Sequence, residues 1–449
     1  MPEPILLVEY SRIRANTQAM VECLDCEDMV IQTMPDVSPT KWHLAHTSWF
    51  WETFLLLDAL DGYREYNRDY NYLFNSYYEA IGDRHRRDQR GFLSRPSLAD
   101  VLGYRRHVDE AMSRLLATLE GEALDRLEPL LRLGLAHEEQ HQELILTDIK
   151  HVLSHNPFAP KAFAERGAGA ADAADAADDP DAADETGASW VGFDGGVFSF
   201  GAEGTAFQFD NEGPRHEALL TPFALADRPV TNGEYAAFIR DGGYRTPSLW
   251  LSDGWARVNA EAWQAPLYWH ERDGMWREFT LHGEVAPRPD APVAHLSFYE
   301  ASAYAEWAGA RLPDEREWEY AALHAAGPDG RFAAPGFSAH PGGCEPGSGL
   351  RQMFGGVWEW TRSDYAPYPR YRPAPGAVGE YNGKFMSGQY VLRGGSCATS
   401  QGHVRPTYRN FFRRRRVGSS PACVWQRIFD RTCRAADDWH HKIEKPCGR

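Results

Sequence analysis

The chain has 449 residues, more than one compact core usually holds, so two domains are expected. An apolar share of 43% is ordinary for a globular protein, and 15 Trp, 20 Tyr and 22 Phe allow large buried pockets. A formal net charge of −17 argues against nucleic acid or an anionic membrane as partner, because both repel an acidic surface.

The N-terminus offers only four consecutive apolar residues, Ile5 to Val8, with no cleavage-site pattern behind them. No later run approaches the ~18 apolar residues that span a bilayer, so a cytoplasmic location is expected. Helical periodicity covers residues 5–26. Cys23 and Cys26 form a CxxC there, read as incidental because no second pair completes a zinc site. Seven cysteines in all, an odd number and few for the length, argue against a disulfide framework. Ser38-Pro39 predicts a helix start, a capping hydroxyl followed by proline at the first helical position, and WHLAHTSWFWETFLLLDAL continues it. Residues 62–95 are a long, aromatic, arginine-rich connection of the kind that is usually functional. Helical spacing returns over 97–119 and 127–153, so residues 1–160 read as an up-and-down four-helix bundle. Residues 161–188 contain the Ala/Asp/Gly-rich run RGAGAADAADAADDPDAADETGA, too poor in apolar side chains to fold, and read as a linker. Beyond it, short runs bounded by Gly, Pro, Asn and Asp predict a mixed domain over 189–412. Residues 231–240 and 298–309 read there as short helices and the rest as strands and turns. The fold class is α+β multidomain.

The sharpest chemical signal is His137-Glu138-Glu139-Gln140-His141, because residues four apart on a helix project from one face and two imidazoles there can reach one metal. The pattern is weak alone, and a third ligand must come from another helix. KWHLAHTSWF supplies His43 and His46, three apart, and spacing does not choose between them. Several imidazoles on apolar helices are most cheaply satisfied by a metal. Three neutral imidazoles without a thiolate suit Fe(II), Zn(II) or Cu(II) and leave positions open. In the long connection, Tyr77 and Tyr78 are candidate proton or electron donors. Arg84, Arg86, Arg87 and Arg90 are candidate carboxylate receptors, the alternative being packed tyrosines and a solvated basic loop.

Several segments then agree in order. SPTKWHLAHTSWFWETFLL, LFNSYYEAIGDRH, RGFLSRPSL and HEEQHQELILTDIKH, followed by GARLPDEREWEYAA, GGVWEWTRSDY, YVLRGGS and YRN, resemble the sulfoxide synthases of ergothioneine biosynthesis. The resemblance implies a DinB-like four-helix bundle joined to a domain like the formylglycine-generating enzyme, a variant of the C-type-lectin fold. It implies O₂-dependent joining of the thiol of cysteine or γ-glutamylcysteine to C2 of hercynine, Nα-trimethylhistidine, with the sulfur ending as a sulfoxide. It selects His46 over His43, beside His137 and His141, as ligands to Fe(II). It places Gln140 near the imidazole substrate, Arg87 and Arg90 on the thiol substrate's carboxylate, and Asn410 on the backbone end of hercynine. The Ser-Tyr-Tyr of residues 76–78 resembles the branch that uses free cysteine, so Tyr77 and Tyr78 are preferred as catalytic residues to Tyr365 and Tyr368.

The resemblance stops after Phe412. Homologues usually end on a strand similar to Arg-Trp-Gln-Phe-Ser-Gly-Leu-Arg-Leu-Ala. Codons for such a strand, read one base out of phase, give Gly-Ser-Ser-Pro-Ala-Cys-Val-Trp, which is the run from Gly418 to Trp425. Residues 413–449 are therefore expected to be an out-of-frame tail. Competing readings are a selenoneine-type or ovothiol-type synthase on a related histidine, a formylglycine-generating oxidase, and a non-catalytic binding module. The oxidase would need a close cysteine pair where only Cys397 stands.

Overall fold

The computed structural model describes residues 4–163, 187–326, 330–331, 349–375, 377–414, 424–425 and 429–430. Most of the linker and most of the tail lie outside these.

Four long helices build the N-terminal half: Ile5–Val21, Thr40–Trp51, Leu98–Thr118 and Gly121–Ser154. The second runs on through a π-helical turn, Glu52–Leu56, to Ala59. The third shows how sequence sets an end. The Ser97 hydroxyl accepts from the Asp100 N–H and the Asp100 carboxylate accepts from the Ser97 N–H, reciprocal caps worth about 1 kcal/mol. Its buried face then recurs at helical spacing through Val101, Tyr104, Val108, Met112 and Leu115.

The second helix starts differently from expectation. Pro39 is the N-cap residue, and the Ser38 hydroxyl does not cap but accepts a hydrogen bond from Arg90. Cys23 and Cys26 lie past the end of the first helix, exposed and free. The fourth helix begins at Gly121 and carries Pro129 inside its exposed early turns. Among the described residues no helix is long and apolar enough to cross a membrane.

The C-terminal half is sheet and irregular chain with inserted helices. Gln389–Arg393 is flanked antiparallel by Trp358–Asp364 and Asn410–Arg413, and the register sets Leu392 opposite both Trp360 and Asn410. A second sheet pairs Trp190–Phe193 with Phe223–Ala226. The backbone of Val424–Trp425 runs parallel to Trp358–Glu359, and that of Phe429–Asp430 pairs with Leu225 and with Ala310–Arg311. The two expected helices are present as Asn232–Arg240 and Phe298–Trp307. Ser252–Glu261 and Glu315–Ala325 are further helices. The latter is started by an Asp314/Glu317 capping box within a segment read as strand and turn.

The halves meet along the fourth helix. Glu143 accepts from Trp358 Nε1 and Ser396 Oγ, both at 2.7 Å, and from Thr399 Oγ1 at 2.8 Å. Further along, Lys150 Nζ lies 2.7 Å from His295 Nε2. One helix thus carries the bundle core on one side and the domain seam on another.

Candidate metal centre

His46, on the second helix, and His137 and His141, on the fourth, are all buried, and their ligand atoms lie within 4.8 Å of one another. Two of the rings, His46 and His141, are held from behind. His46 Nδ1 donates to the Phe74 carbonyl at 2.6 Å, which leaves Nε2 unprotonated and facing His137 Nε2 at 3.1 Å. Burial pushes the pKa of all three imidazoles down, that of His137 to about 3, so they are neutral near pH 7. Two imidazole nitrogens this close share either a hydrogen or a cation, and a cation also engages the third ring, His141. A separation near 3 Å suits neighbouring ligands around an ion with metal–nitrogen distances of about 2.1 Å. The donor set fits a metal.

His43 has another role. Its Nδ1 sits 2.8 Å from His141 Nδ1 and its Nε2 3.0 Å from Asp148 Oδ2. Asp148 also accepts from the Ser38 N–H at 2.8 Å. With Asp148 accepting from His43 Nε2–H, His43 Nδ1 accepts from His141 Nδ1–H, and His141 Nε2 is free toward the cluster. The relay distinguishes His43 from His46: both point inward, but His43 bonds to Asp148, whereas His46 turns its Nε2 to the cluster with His137 and His141.

A cavity of about 230 Å³ opens beside the cluster, between the fourth helix and the C-terminal domain. Its walls include His137, His141, Gln140, Asn410 and Tyr77, so five of the expected site residues meet there. Tyr78 stacks behind Tyr77 with ring centroids 4.6 Å apart, and its buried hydroxyl has no hydrogen-bond partner. Arg87 and Arg90 are not part of this wall. Arg87 is exposed and donates to the Asp36 carbonyl. Arg90 is buried, with its guanidinium 3.4 Å from the centre of the Trp42 ring, and Trp42 in turn stacks on His46 at 4.6 Å. Arg90 Nη1 donates to Ser38 at 2.9 Å, while its buried Nε has no partner. Tyr365 and Tyr368 are engaged elsewhere, Tyr365 with Asn211 and Tyr368 with Glu315 and Arg393.

Sequence reasoning missed Tyr381. Its ring lies 5.9 Å from that of His137, it lines the cavity, and its hydroxyl donates to Gln140 Oε1. It belongs to GEYNGKF, an irregular stretch with no periodicity to mark which side chain turns inward. Glu143 was equally silent, one carboxylate among several on a polar helix face.

The profile of the DinB superfamily matches residues 9–145, and that of the sulfatase-modifying factor enzyme 1-like domain matches residues 176–336 and 328–420. The C-terminal part is 33% identical to a formylglycine-generating enzyme of Streptomyces coelicolor, over 46% of this chain and 77% of that protein. Over nearly the whole length, the chain is 32% identical to a hercynine oxygenase of Mycolicibacterium smegmatis, covering 93% of this chain and 97% of that one. It is 33% identical to a hercynine oxygenase of Mycobacterium tuberculosis, covering 94% and 98%. The chain belongs to the hercynine oxygenase family. The three-histidine cluster, a donor set able to hold a metal, stands in this chain beside a cavity large enough for a small molecule.

Proposed function

We propose that the chain is a hercynine sulfoxide synthase of ergothioneine biosynthesis, holding Fe(II) on His46, His137 and His141. The observation that carries the proposal is a neutral three-imidazole cluster opening on a cavity between two domains, in a chain colinear with hercynine oxygenases. The overall reaction balances. The ring C–H and the thiol S–H give up their hydrogens to one oxygen atom of O₂ as water, and the other oxygen stays on sulfur. Bound iron supplies the one-electron chemistry with O₂ that neither organic substrate has by itself.

The chain's own residues supply positioning. The cavity brings imidazole and thiol together, which turns a bimolecular coupling into a local one. Gln140 and Asn410, on opposite domains, hold the two ends of hercynine. Arg87 and Arg90 take the carboxylate of the thiol substrate. The unpartnered N–H of Arg90 supports this role, since a buried guanidinium left without a full set of acceptors favours an anion. Tyr77, at the cavity wall, with Tyr78 stacked behind it, moves the proton that decides between coupling and simple thiol oxidation. The tyrosine pair also favours free cysteine as sulfur donor. Anaerobic iron loading followed by O₂ with hercynine and either cysteine or γ-glutamylcysteine, read by mass spectrometry, tests this. Coupled sulfoxide from cysteine is expected, and thiol oxidation alone would refute it.

Cys397 is buried with Ala294 and Val357 and is not part of the cavity wall, so it lends the formylglycine-generating alternative no support. The tail after Phe412 is still read as out of frame. Resequencing the 3′ end of the gene tests that, and an intact frame over many reads would end it.

A further inference from the structure

Tyr381 is linked to the edge of the protein by a continuous run of side chains across the domain seam. Its hydroxyl donates to Gln140 Oε1. Gln140 Nε2 donates to the Tyr408 hydroxyl oxygen at 2.7 Å. Tyr408 lies 3.4 Å from His403 Nε2, and His403 Nδ1 lies 3.0 Å from Glu139 Oε2. Glu139 in turn faces Arg12 at 3.7 Å, at a partly exposed position. His403 itself is buried.

Each link constrains the next. An ionised carboxylate only accepts, so His403 Nδ1 must carry a hydrogen toward Glu139. His403 Nε2 then accepts, and the Tyr408 hydroxyl donates to it. Having spent its hydrogen there, Tyr408 accepts from the amide nitrogen of Gln140. The amide carbonyl is thereby turned toward Tyr381, whose hydrogen is drawn away from the cavity. What the cavity meets at Tyr381 is a lone pair.

We infer that His403, oriented by Glu139, is a positioning residue that sets the hydrogen-bond polarity of the substrate cavity, so that Tyr381 acts as an acceptor and selects a ring N–H. The inference rests on the reading of hercynine as substrate. When one ring nitrogen of hercynine is bound to a metal, the other is such an N–H. A substrate with no hydrogen at that nitrogen would set lone pair against lone pair, and a buried polar mismatch of that kind is what discriminates strongly.

The test compares His403→Leu, which breaks the chain, with His403→Gln, whose amide can donate to Glu139 and accept from Tyr408. The readout is binding by titration calorimetry under anaerobic conditions, with metal content measured in parallel. The ligands are hercynine and hercynine methylated on the ring nitrogen not used for the metal. Wild-type protein is expected to prefer hercynine. In His403→Leu the ratio of the two dissociation constants should fall about tenfold, and in His403→Gln it should stay within about twofold of wild type. A general loosening of the fold weakens both ligands together and leaves the ratio alone. An unchanged ratio in His403→Leu overturns the inference. Failure of the wild-type protein to bind hercynine at all would instead overturn the reading of function.

Discussion

His137 and Glu138 are adjacent on the fourth long helix and both are buried, yet they enter two clusters of opposite character. Glu138 is surrounded by donors: Arg14 at 3.0 Å, Arg105 at 3.3 Å, Thr17 at 2.8 Å and Trp51 Nε1 at 3.2 Å. Burial alone would raise its pKa, but the two guanidinium groups hold it down, to about 2. Every charge there is answered from within the chain. His46 and His141 are anchored at Nδ1 by the Phe74 carbonyl and His43, and the three rings turn their remaining nitrogens toward one another, with no charged partner for them among the described residues. A closed polar cluster serves the fold, whereas an open one asks for a ligand.

The largest effects should separate these two. His137→Ala should reduce bound metal and coupled product to background while the urea midpoint of the metal-free protein stays within the range of ordinary core substitutions. A large drop in that midpoint would give the histidines a structural role instead. Glu138→Ala should do the reverse. It strands Arg14 and Arg105 and should cost about 3–5 kcal/mol of stability, read by urea unfolding, with near-normal metal content in the folded fraction.

A smaller effect is expected one step behind the open cluster. Removing the acceptor for His141 Nδ1–H in His43→Leu should weaken metal affinity about 10–100-fold, measured by competition with a chelator. Retained affinity would mean that His141 needs no support from His43.

The finest distinction is one of acid sensitivity, read as a slope per pH unit. His137 has a folded pKa of about 3 against an ordinary 6.5, so the unfolded chain takes up the proton first. The metal-free protein should therefore lose stability as pH falls from 6.5 toward 3. Glu138, at about 2 against 4.5, loses its contribution only between those values. Each group adds at most about 1.4 kcal/mol per pH unit. Denaturant unfolding of His137→Asn should reduce the slope of the upper window, to which His46 and His141 also contribute, and that of Glu138→Gln the slope of the lower. Equal slopes in both variants would erase the distinction.

How much of this was legible beforehand follows from the kind of signal each part leaves. The long helices announce themselves by apolar spacing, and the three clustered imidazoles by histidines on it. The choice of His46 over His43 was not legible from spacing, because both face inward. It depends on Asp148, more than a hundred residues away, occupying one nitrogen of His43. Ser38 misled, since a serine before proline reads as a cap until Arg90 claims its hydroxyl. The C-terminal contributions were hardest. Tyr381 and His403 act through long-range contacts from irregular chain, where no period marks the inward residue.

The fourth helix serves three clients over a few residues: Glu138 toward the charged core, His137 and His141 toward the histidine cluster, and Glu139, Gln140 and Glu143 toward the other domain. These assignments differ only by rotation about one axis. Inserting or deleting a single residue here would turn everything downstream by about 100°. The count of residues in this segment is fixed in the way the teeth of a meshed gear are.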